Sequence, residues 1–212
     1  MASSIPAEYP ISFTVDPAEG DRNRVTCAFR IFLAVPILVV AGAIGGGTLA
    51  VLGSDSQSTA SAAGGLLVGA PALMILFRQK YPRWWFDWNY ALMRFQNRVG
   101  AYMFLLRDEY PSTDDEQAVH LEIPYPEVST ELNRWLPLVK WFLAIPHYIV
   151  LVFLYIGLFF ALIGAWFSIL FTGRYPRGIY DFAVGVMRWN NRVIGYALIL
   201  ATDQYPPFRL AP

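Results

Sequence analysis

Two pairs of arginines, Arg94 with Arg98 and Arg188 with Arg192, are the residues of this 212-residue chain best suited to chemistry. Like charges four residues apart repel on a bare helix. Keeping two such pairs suggests that each faces an anion, a lipid phosphate or a partner's carboxylate. The plainer alternative is a solvated face paired with Asp108, Glu109 or Asp203. The remaining candidates offer less. Asp87 and Asp181 have no nucleophile or general base near them in sequence, so hydrolysis has no support. His147 stands without Cys, Asp or Glu neighbours and His120 sits in a polar strand, so both read as structural, and Cys27 is a single cysteine with no CxxC around it. The runs "GAIGGGT" and "AAGGLLVG" lack a following Lys-Ser/Thr and read as helix packing. No catalytic residue, metal or cofactor is expected.

The arginine pairs sit in a phrase that the chain states twice. "YPRWWFDWNYALMRFQNRVGAY" (residues 81–102) returns 94 positions later as "YPRGIYDFAVGVMRWNNRVIGY" (175–196), identical at ten places. On a helix Asp87, Ala91, Arg94 and Arg98 fall along one stripe, and Trp88, Leu92, Phe95, Val99 and Tyr102 along another. The second copy repeats the layout. Two mid-helix arginines suit a membrane-spanning helix poorly. The expected element is an amphipathic helix lying at the membrane surface. Its anchors would be drawn from the aromatic belt: Tyr81, Trp84, Trp85, Trp88, Trp135, Trp141, Tyr175 and Trp189.

The repeat extends upstream. "NRVTCAFRIFLAVPILVV" (23–40) matches "NRWLPLVKWFLAIPHYIV" (133–150), with Lys140 in place of Arg30 and Pro146 over Pro36. Alternating stretches, "ISFTV" (11–15) and "VHLEI" (119–123), open each copy and suit short strands that pair between copies. The chain divides into two tandem units, 1–112 and 113–212, joined by the acidic "STDDEQ". Composition is 56% hydrophobic and 15% charged with zero net charge, which points to a membrane protein and gives no field for nucleic acid. All 16 Lys and Arg lie outside residues 31–77 and 141–173, and cluster at the ends of those windows. Basic residues at both ends predict helical hairpins that enter and leave on the cytoplasmic side, with both termini there and Ser54–Ser61 outside. Leu136–Phe171 is long for one span and short for two, so a kink at Pro146 is the alternative to a hairpin.

Unit two, through "FTGRYPRG", "DFAVGVMRW" and "DQYPPF", resembles the bacterial membrane family known as the DUF4389 domain; unit one resembles it more loosely. The resemblance implies an integral protein of the bacterial inner membrane and brings no catalytic residue. The expected fold is all-α and membrane-integral: two repeats, each a hairpin plus an interfacial helix, with short surface strands. The expected function is a non-catalytic accessory or scaffold subunit whose partners are membrane lipids and other membrane subunits. Lipid handling or small-solute transport is the alternative.

Overall fold

The structure, a computed structural model, describes residues 9–18, 20–45 and 69–212. Its elements in chain order are β1 (Ser12–Val15), α1 (Arg24–Ala28), α2 (Arg30–Gly45), α3 (described over Gly69–Arg78), α4 (Arg83–Met103), β2 (Val119–Glu122), α5 (Val128–Glu131), α6 (Leu136–Leu143), α7 (Ile145–Thr172) and α8 (Arg177–Ala197). The fold is mostly helical. The two alternating stretches pair antiparallel, with Phe13 opposite Leu121 and Val15 opposite Val119. Phe13, Val15, Val119 and Leu121 point into the core; Thr14, His120 and Glu122 point out.

Local chemistry explains the helix ends. Asn23 caps α1, its side-chain oxygen accepting from the backbone N–H groups of Val25 and Thr26. Helix α7 stops at Gly173, which takes a left-handed φ of 76°. Helices α4 and α8 are followed by leucines at positive φ, Leu105 (61°) and Leu200 (60°). That conformation costs a non-glycine residue roughly 1–2 kcal/mol. Both leucines are buried, so packing offsets the cost.

The expected hairpin of unit two is corrected. Leu136–Thr172 runs as one 37-residue helix with a single irregular turn at Ala144, the only helix among the described residues long and apolar enough to cross a membrane. Pro146 falls in the first turn of α7, where no intrahelical donor is needed, so it starts a helix instead of breaking one. The glycines that might have turned the chain serve packing: Phe182 lies against Gly157, and Ile179 against Gly164. In unit one the turn between the expected legs, with its polar island, lies outside the described residues.

The surface-lying helices are corrected as well. Helices α4 and α8 form the centre of the molecule, with 13 buried residues on α8 alone. Helix α2 packs on α4 through Ala34, Ile37 and Ala41 against Phe95, Val99 and Tyr102. Leu151 of α7 and Ala144 just before it pack on α8 against Trp189, Val193, Tyr196 and Ala197. The ribbon β1–β2 covers another side of the central pair: Tyr180 donates to the Val15 carbonyl and Tyr90 to the Leu121 carbonyl. At the crossing of α4 and α8, Asn97 and Asn191 exchange two amide hydrogen bonds of 2.8 and 2.7 Å. These asparagines hold the same place in the repeated phrase.

Candidate functional site: arginine faces and buried clamps

The central helices place the four candidate arginines unequally. Arg98 and Arg192 are buried, at 3% and 2% exposure. Arg98 donates to the Ser112 carbonyl at 2.9 Å. Arg192 donates to the carbonyls of Arg209 and Ala211 at 3.3 and 3.1 Å. Arg188 holds two further carbonyls, Phe13 through Nε (3.0 Å) and Leu210 through Nη1 (2.8 Å). Burial pushes all three guanidinium pKa values down, yet arginine starts so high that each stays charged. Their acceptors are the chain's own backbone carbonyls. The segments after α4 and α8 fold back over the arginine stripe and supply these carbonyls, while the buried Nε of Arg98 and of Arg192 makes no hydrogen bond among the described residues. Only Arg94 makes no hydrogen bond among the described residues; it is half-buried, with its guanidinium 5.8 Å from the Tyr90 ring.

The expected aromatic anchors divide in the same way. Trp84, Trp88, Trp135 and Trp141 are exposed. Trp85 is half-buried against the core. Trp189 is buried, and its indole donates to His147 Nδ1 at 3.0 Å. Tyr81 and Tyr175 turn inward, which corrects their assignment to the membrane interface. Tyr81 Oη donates to the Ile199 carbonyl (2.9 Å) and Tyr175 Oη to the Phe104 carbonyl (3.1 Å), so each copy of Tyr-Pro-Arg ties onto the far end of the other copy's helix.

Two clamps escaped the sequence reading. In unit one Arg30 pairs with Asp108, donates to the Arg107 carbonyl at 2.8 Å and lies 4.1 Å from the Tyr102 ring. The backbone N–H of Asn23 donates to the other oxygen of Asp108 at 3.1 Å. In unit two Lys140 pairs with Asp203 at 2.7 Å, donates to the Thr202 carbonyl at 2.7 Å and lies 5.0 Å from the Tyr196 ring. Asn133 N–H donates to Asp203 at 2.6 Å. Both cations are buried. The signal was present in the Arg30-to-Lys140 exchange and in the aspartate that follows each phrase. In sequence alone Asp108 and Asp203 read as partners for the helix arginines.

His147 completes the region. Its ring stacks on Phe208 at 4.0 Å and 16°, with Tyr205 4.8 Å away. Because Nδ1 accepts from Trp189, neutral His147 carries its proton on Nε2. This is a packed histidine, held by the "YPPF" segment. Among the described residues no group of three or more His, Cys, Asp or Glu side chains is placed to hold a metal ion.

No curated protein and no solved structure matches the chain. Residues 135–209 match the family model described as "Domain of unknown function (DUF4389)". The matched stretch runs from the first residue before α6 to the segment held by Arg192, and so contains the Lys140–Asp203 pair and the stack on His147. Over residues 135–209 this chain is thus similar to the DUF4389 family.

Proposed function

We propose that this chain is a non-catalytic scaffold or accessory protein of a bacterial inner membrane, built as two copies of one helical unit. One observation carries the membrane reading: the helix Leu136–Thr172 combines length, strong apolarity and exposure, with only 17% of its most apolar window buried. A core helix of a soluble protein would be mostly covered. Here Phe142, Phe153, Phe160 and Phe171 are each at least 65% exposed, and Ile31 and Phe32 on α2 reach 73%. Water does not tolerate a contiguous apolar surface of this extent. The accessory reading draws on the arginines: the chain's own carbonyls occupy three of the four, which supports a structural role for them. Arg94 is the one proposed to meet a partner's carboxylate. Reciprocal contacts at matched positions (Asn97 with Asn191, Tyr81 and Tyr175, the two clamps) support the two-copy reading.

A groove favours lipid handling as a second reading. A cavity of about 470 Å³ opens between α4, α8 and Tyr155, with Asn89, Gln96, Asn97, Asn190 and Asn191 among its lining and apolar walls beside them. Amides above an apolar wall suit an uncharged polar headgroup.

The membrane reading is tested by alkaline carbonate washing of membranes from cells expressing the full chain. Retention in the pellet is expected; release into the supernatant refutes it. Purification in mild detergent then separates the two functional readings. A stable complex with another membrane subunit, weakened by Arg94→Glu, supports the scaffold. A lone protein carrying stoichiometric lipid that is lost on Asn190→Leu supports lipid handling.

A further inference from the structure

We infer that α6–α7 and α2 lie along the membrane plane, immersed in one leaflet, with the β1–β2 ribbon facing water on the other side of the molecule. The inference rests on the membrane reading above.

The argument turns on what α8 carries on its different sides. Helix α7 runs antiparallel along its length: Gly164 meets Ile179, Gly157 meets Phe182, His147 meets Trp189, and Trp141 donates to the Ala197 carbonyl. Strand β1 runs along the same stretch. Val15 accepts from Tyr180, Phe13 accepts from Arg188, and Ile11 lies against Gly195. At 3.6 residues per turn, Phe182, Trp189 and Tyr196 form one stripe of α8, while Arg188 and Gly195 fall on a different side. The ribbon therefore sits level with residues 141–164, the middle of the 37-residue helix.

An upright helix would put that middle at the bilayer centre, and the ribbon with it. The ribbon carries the Asp16–His120 pair at 62% and 53% exposure and an outward Glu122. Close by, Arg177 and Asp181 pair at 72% and 60% exposure. In the repeated phrase Arg83 and Asp87 do the same at 71% and 55%. Exposed charges of this kind do not persist at hydrocarbon depth unless protein or a water-filled cavity surrounds them. The opposite flank holds no competing charge: between Leu136 and Thr172 the sole ionised side chain is Lys140, fully buried in its clamp. Phe142, Phe153, Phe160 and Phe171, spaced 11, 7 and 11 residues apart, form one exposed row along that flank. Helix α4 meets α2 and β2 as α8 meets α7 and β1, so the exposed apolar residues of α2 share the lipid side. Charge on one side and phenylalanine on the other, along the full length of a helix, fit a leaflet surface and not a span.

The test uses the full chain in sealed vesicles of phosphatidylethanolamine and phosphatidylglycerol. Cys27, buried, is replaced by alanine, and cysteines are placed at two exposed ends of the helix, Arg134→Cys and Arg174→Cys. A membrane-impermeant maleimide is added outside and the intact chain is weighed. An in-plane helix gives chains with two labels or none, according to which way each molecule inserted. Mainly one label per chain means an upright helix and overturns the inference while leaving the membrane reading intact. Chains that do not float with the vesicles overturn both. A second measurement places nitroxides singly at Phe142, Phe153, Phe160 and Phe171 and reads their depth from oxygen and nickel-chelate accessibility. Equal, shallow depths are expected. A maximum at Phe153 and Phe160 overturns the inference, as does absence of lipid contact along the row in a vesicle-bound chain, which would assign the flank to a protein.

Discussion

Helices α4 and α8 carry nearly the same phrase, yet α8 is the more enclosed. Gly185 and Gly195 mark the difference, because unit one has Ala91 and Ala101 in their places. A Cβ at Gly185 would stand 2.9 Å from Leu210 Cβ, and one at Gly195 would stand 2.1 Å from Ile11 Cδ1. The segment 205–211 and strand β1 both press on α8, and the glycines make room for them. The clamps differ in a matching way: unit one uses Arg30 with a carboxylate that is 29% exposed, and unit two uses Lys140 with one that is 20% exposed. Unit two is the tighter copy. An amphipathic helix need not turn its arginines outward if the following chain supplies carbonyl acceptors for them.

The largest effect should come from the clamps. Asp203→Ala leaves a buried ammonium with the Thr202 carbonyl and the Tyr196 ring 5.0 Å away, and losing one member of a buried pair costs about 3–5 kcal/mol. Asp108→Ala should cost less, about 1–3 kcal/mol, because Arg30 keeps the Arg107 carbonyl and the Tyr102 ring and a guanidinium is easier to desolvate. Unfolding in mild detergent measures both. Adding Lys140→Met to Asp203→Ala should recover most of the loss, since the unpaired charge is what destabilises. Equal losses at the two aspartates would break the comparison.

Next comes the crossing of the two helices. Asn97→Ala or Asn191→Ala strands one buried amide, which costs about 1–3 kcal/mol. The double replacement strands nothing further, so the two losses should not add, and the double-mutant cycle should show at least about 1 kcal/mol of coupling. Additive losses would mean that the two amides act independently.

The glycines sharpen the difference between the copies. Gly185→Ala should destabilise by about 1–3 kcal/mol through overpacking against Leu210, with accelerated proteolysis after Asp203 as the segment lifts. Gly195→Ala should cost less, because the obstructing atom is the end of a side chain. The reverse change, Ala91→Gly, should cost only the helix propensity, about 0.5–1 kcal/mol. A benign Gly185→Ala would show that the closing segment does not press on α8.

Much of this architecture was legible in the sequence. The strands showed in their alternation, and the register of the repeat located Asn97 over Asn191 and Arg30 over Lys140. Illegible was which surface each amphipathic helix would cover. Arg98 and Arg192 read as ligands for an external anion because sequence shows donors but not the distant carbonyls of residues 112 and 209–211 that bend back to meet them. The basic residues at the ends of the window 141–173 point to a hairpin. Lys140, though, is a clamp and not a topological marker, and nothing between residues 147 and 171 breaks helical hydrogen bonding. Nor does hydropathy distinguish a helix that lies in a leaflet from one that crosses it, because length and apolarity are the same for both. At the bilayer centre an exposed Asp, Lys or Arg costs about 2.5–3.5 kcal/mol each. The several charges around the ribbon can decide the matter only once their level along the helix is known.

The smallest expected effects are at the tyrosines that tie each copy to the other. Tyr81→Phe removes one hydrogen bond, to the Ile199 carbonyl, and should cost about 1 kcal/mol. Tyr175→Phe should cost less, because its bond is longer and its side chain is only half-buried. Both phenols titrate above the usual tyrosine value in the folded chain, chiefly through burial; at Tyr175 the charge of Arg22 opposes the shift. An acid whose folded pKa is raised stabilises the fold while it stays protonated. The contribution is complete below the unfolded value, near pH ~10, and is lost as pH climbs from there towards the folded value. Wild type should therefore lose stability above about pH 10, before tyrosinate absorbance appears at these two positions in the folded chain. Tyr81→Phe and Tyr175→Phe should each flatten that decline. Identical alkaline profiles for wild type and both variants would place the titrating groups elsewhere, and the reciprocal ties would then count as packing contacts with no role in holding the copies together.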